Sequence, residues 1–138
     1  MSEIHEGGCN CGAVRYKTLA APKRVGACAC SWCQKRTGSA FGISVYFLKG
    51  DVEITGGPVR TYRAWSDAGR WLDSEFCETC GTTVTWTLEL FPDYRGIAGG
   101  SFDRPTFWYE LERFVFARSK PDWVQLPEGI EVHEAMPK

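Results

Sequence analysis

Seven cysteines in three tight groups constrain this chain more than any other feature of it. Cys9-Asn10-Cys11 is a C-x-C pair followed by Gly12. Cys28-Ala29-Cys30-Ser31-Trp32-Cys33 is a C-x-C-x-x-C group, and Cys77-Glu78-Thr79-Cys80 is a C-x-x-C pair followed by Gly81. Cysteines that merely fill a core do not cluster in this way. An odd count and the tightness of C-x-C count against a disulfide framework. A redox C-x-x-C belongs at a strand-to-helix turn, whereas Cys77 and Cys80 lie between two segments that both read as strands. Metal binding is the reading that accounts for all three groups, and thiolate-rich sites select zinc ahead of hard cations.

Ligand arithmetic carries this further. A structural zinc is closed by four protein ligands, and a catalytic one keeps three and an open position. Seven cysteines divide as four plus three. The two outer pairs, Cys9 with Cys11 and Cys77 with Cys80, can close one tetrahedron. The glycine behind each pair lets the chain turn with positive φ and aim backbone N–H groups at the sulfurs. Cys28, Cys30 and Cys33 can offer three ligands from one short loop and leave room for water or a thiol. One four-cysteine site beside three idle thiols is the competing division.

Composition narrows the partners. The formal net charge of −1 gives no broad electrostatic footprint for nucleic acid. No run approaches the length of a membrane-spanning helix. The first residues, Met1 to Glu6, are polar and acidic without a signal-peptide core, so a cytoplasmic location is the expectation. The length of 138 residues suits a single domain, 1–138. No H-x-E accompanies a P-C-x-x-C, which sets a zinc nucleoside deaminase aside.

Hydrophobic alternation predicts short strands. They fall at 13–19, 42–48, 52–54, 59–65, 70–76, 82–88 and 113–117, with a hairpin around Ser66-Asp67-Ala68-Gly69. In 82–88, Val84, Trp86 and Leu88 oppose Thr83, Thr85 and Thr87. Residues 31–37 suggest one helical turn. The expected fold class is mainly β: a small antiparallel sandwich or open barrel stapled by cysteine-ligated zinc.

Several segments resemble one family. Gly8-Cys9-Asn10-Cys11-Gly12-Ala13-Val14-Arg15-Tyr16 is similar to the opening of the glutathione-dependent formaldehyde-activating enzymes, a family that also takes in centromere protein V. The middle cysteine group with Thr37-Gly38-Ser39-Ala40-Phe41, and Phe76-Cys77-Glu78-Thr79-Cys80-Gly81-Thr82, resemble its second and third motifs. Gly99-Gly100-Ser101-Phe102-Asp103 and Lys120-Pro121-Asp122-Trp123 resemble later segments, so the likeness spans about residues 7–128. It implies a two-zinc, mainly β fold, with a structural zinc on Cys9, Cys11, Cys77 and Cys80. A more labile catalytic zinc is implied on Cys28, Cys30 and Cys33. It implies a carbon–sulfur lyase-type reaction, run toward condensation of glutathione with formaldehyde. Two positions depart from the family: many relatives carry a His where Arg113 and Phe114 stand, and a basic residue at Ser74.

The chemistry is consistent with the ligands. A thiol attacks as thiolate, which a zinc ligand position produces. Three thiolates make the metal a weak Lewis acid, which favours carriage of the thiol over activation of the carbonyl. Lys35 and Arg36 follow the triad and are candidates to pair with glutathione carboxylates; two solvated charges are the plainer reading. Arg95 is a weaker candidate of the same kind. Trp32 is read first as a core residue and second as a pocket wall, and His5 and His133 as surface residues. Two non-enzymatic readings stand beside the enzyme: a glutathione or thiol carrier, and a zinc-stabilised protein-interaction module.

Overall fold

The computed structural model describes residues 3–136. Its strands are β1 (His5–Gly8), β2 (Val14–Thr18), β3 (Arg24–Cys28), β4 (Gly42–Leu48), β5 (Val52–Gly56), β6 (Val59–Trp65), β7 (Trp71–Cys77), β8 (Thr83–Leu88), β9 (Tyr94–Ala98), β10 (Arg113–Val115) and β11 (Glu131–Val132), with one α-helix, α1 (Ser31–Thr37), among the described residues. They form a three-stranded sheet, β1-β2-β5, and an eight-stranded sheet, β11-β10-β3-β4-β9-β8-β7-β6. The large sheet does not close into a barrel; β11 and β6 are its edges. Pairing is antiparallel except that β10 lies parallel to both β3 and β11.

The two sheets share one core. Val14 and Tyr16 of the small sheet pack with Val25, Val45, Phe47 and Ile97 of the large one. Alternation in β2 buries Val14, Tyr16 and Thr18 and leaves Arg15 and Lys17 half-exposed. Tyr16 ends at a hydrogen bond of 2.8 Å with Ser101 Oγ, which satisfies its buried hydroxyl.

Two local expectations change. The strand expected at 113–117 stops at Val115, because Phe116 turns to φ 56° and a 3₁₀ turn follows. In β8 the threonines are not a solvated face: Val84, Thr85, Trp86 and Thr87 are all buried. A central strand is covered on both sides, and Thr85 offsets its burial by donating to Glu75 Oε1 at 2.8 Å.

Cross-strand register sorts the large sheet into a core face and a second face. Directly paired residues point to the same side. Tyr46, Gly96, Trp86, Ser74 and Tyr62 are successive partners across β4, β9, β8, β7 and β6. Val45 and Ile97, one step along, point into the core. The row from Tyr46 to Tyr62 therefore floors the face opposite the core, and α1 sits above it.

Candidate metal centre

The outer cysteine pairs meet as the spacing predicts. Sulfur atoms of Cys9, Cys11, Cys77 and Cys80 all lie within 4.8 Å of one another. Cys9 and Cys11 come from the β1–β2 turn, and Cys77 and Cys80 from the β7–β8 turn, so the cluster ties the small sheet to the large one. The two turns are alike: Gly12 has φ 81° and Gly81 φ 80°, and the Gly12 and Gly81 N–H groups donate to the Cys9 and Cys77 carbonyls at 3.2 and 2.8 Å. Nothing stands near the missing Cβ of either glycine, so backbone conformation alone requires them. The Val14 N–H donates to Cys9 Sγ at 3.3 Å, as the sequence predicts. Thr82 joins the two turns, accepting from the Asn10 N–H at 3.2 Å while its hydroxyl lies 3.1 Å from Cys80 Sγ.

The donor set fits zinc. Cys9 and Cys11 sulfurs are 3.6 Å apart, and those of Cys11 and Cys77 are 3.7 Å apart. A tetrahedron with zinc–sulfur bonds of about 2.3 Å has edges of about 3.8 Å. The four thiols are not alike. The Thr82 hydroxyl, with the Thr82 and Cys11 N–H groups, draws the Cys80 thiol down to about 5. Cys11 stays high at about 11, because burial and its sulfur neighbours outweigh the Ala13 N–H.

The middle triad forms a second cluster, with Cys28, Cys30 and Cys33 sulfurs also within 4.8 Å. It does not sit on a free loop. Cys28 ends β3, Cys30 caps α1, and Cys33 lies in the first turn of that helix. The Cys33 N–H donates to Cys30 Sγ at 3.4 Å, and the Cys30 N–H to Cys28 Sγ at 3.5 Å. The Cys28 and Cys33 sulfhydryls hold the Cys30 thiol down to about 2, while Cys28 is pushed well up by those same sulfur neighbours and by burial. Three thiols sharing negative charge over one strand-to-helix junction can bind a soft divalent cation with a position to spare.

Side chains beside the triad that sequence reasoning did not single out come from the floor of the second face. Trp86 Nε1 donates to the Tyr46 hydroxyl at 3.2 Å. Burial raises the Tyr46 hydroxyl above its ordinary range. Arg36 lies with its guanidinium carbon 4.3 Å from the Trp86 ring. It passes so close to Gly42 that a Cβ there would stand 2.4 Å from Nη2. Lys35 is exposed beside it. Neither cation is paired with a carboxylate among the described residues. Both line a cleft of about 640 Å³ with Trp32, Tyr62, Ser74 and Phe76. Arg36 also lines a second cleft of about 830 Å³, which runs past Cys9, Cys80, Arg15 and Gly99-Gly100. Locating these residues from sequence needed the strand register, and the one visible signal was Trp86 in an alternating run.

Other candidates resolve differently. Arg95 is on the core face, in an ion pair with Glu75, and takes no part in either cleft. Trp32 is not a core residue: it is 36% exposed and walls the cleft. His5 is half-buried and stacks on Trp108 with ring centroids 3.5 Å apart, so it is structural rather than a free surface group. His133 is half-exposed near Glu131. Arg113 fills the space above Gly26, where a Cβ would stand 3.0 Å from its Cγ.

Fold and cysteine geometry together define a mainly β domain with thiolate clusters able to hold a metal. The sequence matches the family model described as glutathione-dependent formaldehyde-activating enzyme over residues 4–117, and the chain belongs to that family. A Halomonas elongata protein named "Putative glutathione-dependent formaldehyde-activating enzyme" is 30% identical over 133 residues, covering 88% of this chain and 80% of that protein. A crystal structure of a Rhodobacter sphaeroides protein aligns with a TM-score of 0.58 at 22% identity, over 77% of this chain and 96% of that one. That likeness speaks for the fold alone. No helix among the described residues is long and apolar enough to cross a membrane.

Proposed function

We propose that the chain is a cytoplasmic, zinc-dependent enzyme of the carbon–sulfur lyase type that condenses glutathione with an aldehyde such as formaldehyde. The observation that carries this is the convergence of Cys28, Cys30 and Cys33 beside a cleft whose two cations, Lys35 and Arg36, have no acidic partner. The name of the family, glutathione-dependent formaldehyde-activating enzyme, supports glutathione and formaldehyde as the substrate pair. In this reading one zinc on Cys9, Cys11, Cys77 and Cys80 is structural, and a second on the triad is catalytic.

Bound at the triad, zinc would supply a depressed pKa for an incoming thiol, which then reacts as thiolate at neutral pH. The chain's own residues do the rest. Lys35 and Arg36 bind the carboxylates of glutathione, and stacking on Trp86 fixes the Arg36 guanidinium in place. The sulfur–carbon bond forms, the carbonyl π bond breaks, and the thiol proton ends on the new hydroxyl.

The test mixes zinc-loaded protein with glutathione and formaldehyde and measures adduct formation above the uncatalysed rate. Acceleration that disappears in Cys33→Ser supports the enzyme. Glutathione binding with no acceleration selects a thiol carrier instead. Neither binding nor acceleration at millimolar thiol rejects both, and leaves a zinc-stabilised interaction domain.

A further inference from the structure

Glutathione carries two carboxylates and, on its γ-glutamyl residue, an α-ammonium that is protonated at neutral pH. Lys35 and Arg36 answer the carboxylates and leave the ammonium without an anion. No acidic side chain lines the smaller cleft, of about 640 Å³. A single one, Asp103, lines the larger cleft of about 830 Å³. The two clefts are continuous at Arg36, Gly81 and Thr83, which line both. The larger cleft also borders the triad through Gly42, which pairs with Cys28 across β3 and β4. A Cβ on Gly42 would stand 3.4 Å from the Cys33 Cβ. Open space therefore leads from the triad, past Arg36, to Asp103.

Asp103 is held in place rather than left on a free loop. Its N–H donates to the Glu6 carbonyl at 2.9 Å, and Phe102 before it bridges to Gly7 of β1. Arg15 of β2 crosses Gly8, where a Cβ would stand 3.0 Å from the Arg15 Cδ. Both terminal nitrogens of Arg15 then meet the Asp103 carboxylate, Nη1 donating to Oδ1 at 3.0 Å and Nη2 to Oδ2. Hydrogen bonds from Arg15 hold the Asp103 carboxyl below its ordinary range, so it stays an anion. A carboxylate accepts about four hydrogen bonds, and the Asp103 side chain is 53% exposed, so acceptor capacity remains. An α-amino acid end carries ammonium and carboxylate on one carbon. Asp103 and Arg15 present the opposite charges side by side.

From these features we infer that Asp103 binds the α-ammonium of the γ-glutamyl residue, with Arg15 as the positioning residue that holds its carboxylate. This rests on glutathione as the thiol and names the residue that selects it. The peptide lies across Arg36, with its γ-glutamyl end in the larger cleft. Thiols with a free γ-glutamyl amine are thereby preferred over thiols without one. The step is binding alone, and no bond is made or broken at Asp103.

The test is calorimetry of zinc-loaded protein with glutathione, N-acetylglutathione, mercaptoethanol and S-methylglutathione. N-acetylglutathione keeps the thiol and both carboxylates but has no charged amine. S-methylglutathione keeps every charge but offers no thiol. The wild type is expected to bind glutathione at least about fivefold more tightly than N-acetylglutathione. Asp103→Asn is expected to bring that ratio to about twofold or less, and Asp103→Glu to restore part of it. The Arg15–Asp103 pair is exposed, so both variants should melt close to wild type. Equal binding of the two peptides by the wild type, or a ratio unmoved in Asp103→Asn, overturns the inference. Mercaptoethanol binding in that case leaves the thiol reading standing. If no thiol binds, S-methylglutathione decides. Binding of it that Asp103→Asn weakens about fivefold supports the Asp103 site apart from the thiol chemistry. Absence of such binding overturns both.

Discussion

Trp86 and Tyr46 are joined by a hydrogen bond across a strand that carries glycine between them. The indole Nε1 donates to the Tyr46 hydroxyl at 3.2 Å, over Gly96 of β9. A Cβ on Gly96 would stand 2.2 Å from that Nε1. Gly96→Ala must therefore displace the indole and unseat Arg36, which rests on it. A destabilisation of about 1–3 kcal/mol is expected from overpacking of this kind, read by denaturant unfolding, together with a red-shifted Trp emission. An unchanged midpoint and spectrum would contradict the packing described.

Tyr46→Phe leaves the buried Trp86 N–H without its acceptor. The cost of such an orphaned group is about 1–3 kcal/mol. Tyr62→Phe is the control, because that hydroxyl has no partner among the described residues and its ring is exposed. Unfolding curves should separate the two variants, with Tyr62→Phe close to wild type.

Cys80→Ser opens the cluster that staples the two sheets together. The loss of stability is expected to be on the order of 4 kcal/mol, the scale of losing a metal site, with zinc content falling by one per chain. A melting temperature equal to wild type would reject the structural role.

Chelation should distinguish the two clusters by rate. Cys9 and Cys77 are buried and Cys11 and Cys80 exposed, and the cluster offers four ligands drawn from turns in both sheets. Cys28, Cys30 and Cys33 are only half-buried and come from six consecutive residues. Mild chelation is expected to remove one zinc quickly and the other slowly. A single rate for both would remove the distinction.

Charge at the cleft should be readable with two thiols. Lys35→Ala and Arg36→Ala are expected to weaken glutathione about three- to tenfold, a loss of about 0.5–1.5 kcal/mol. Mercaptoethanol, which has no carboxylate, should be little affected. Arg36→Lys keeps the charge but not the flat stacking on Trp86, so it should fall between wild type and Arg36→Ala. Equal loss for both thiols would place the two cations elsewhere in the mechanism.

Much of this was visible in the chain itself, and the gaps share a cause. The cysteine groups announced their own clusters because ligand spacing is local and metal geometry is strict. Strands β2, β4 and β8 declared themselves by alternation. β1, β3 and β9 did not, because each carries glycine where a strand reader expects a side chain. In each the glycine makes room: a Cβ on Gly7 would meet the Tyr16 hydroxyl at 2.3 Å, Gly26 clears Arg113, and Gly96 clears Trp86. The parallel pairing of β10 left no local mark, since it joins residues 87 positions apart, Arg113 with Gly26. The same holds for the cleft. Trp32 and Tyr62 face each other because of register and helix placement, and no spacing in the sequence encodes that.

The central claim is that the triad holds a zinc with one position open to a thiol. The most direct measurement is zinc content and glutathione titration of the reduced protein, wild type against Cys33→Ser. The account expects two zinc per chain in the wild type and one in the variant, an intact fold in both, and glutathione binding in the wild type alone. One zinc in the wild type under excess metal, or glutathione binding that survives in Cys33→Ser, would contradict it.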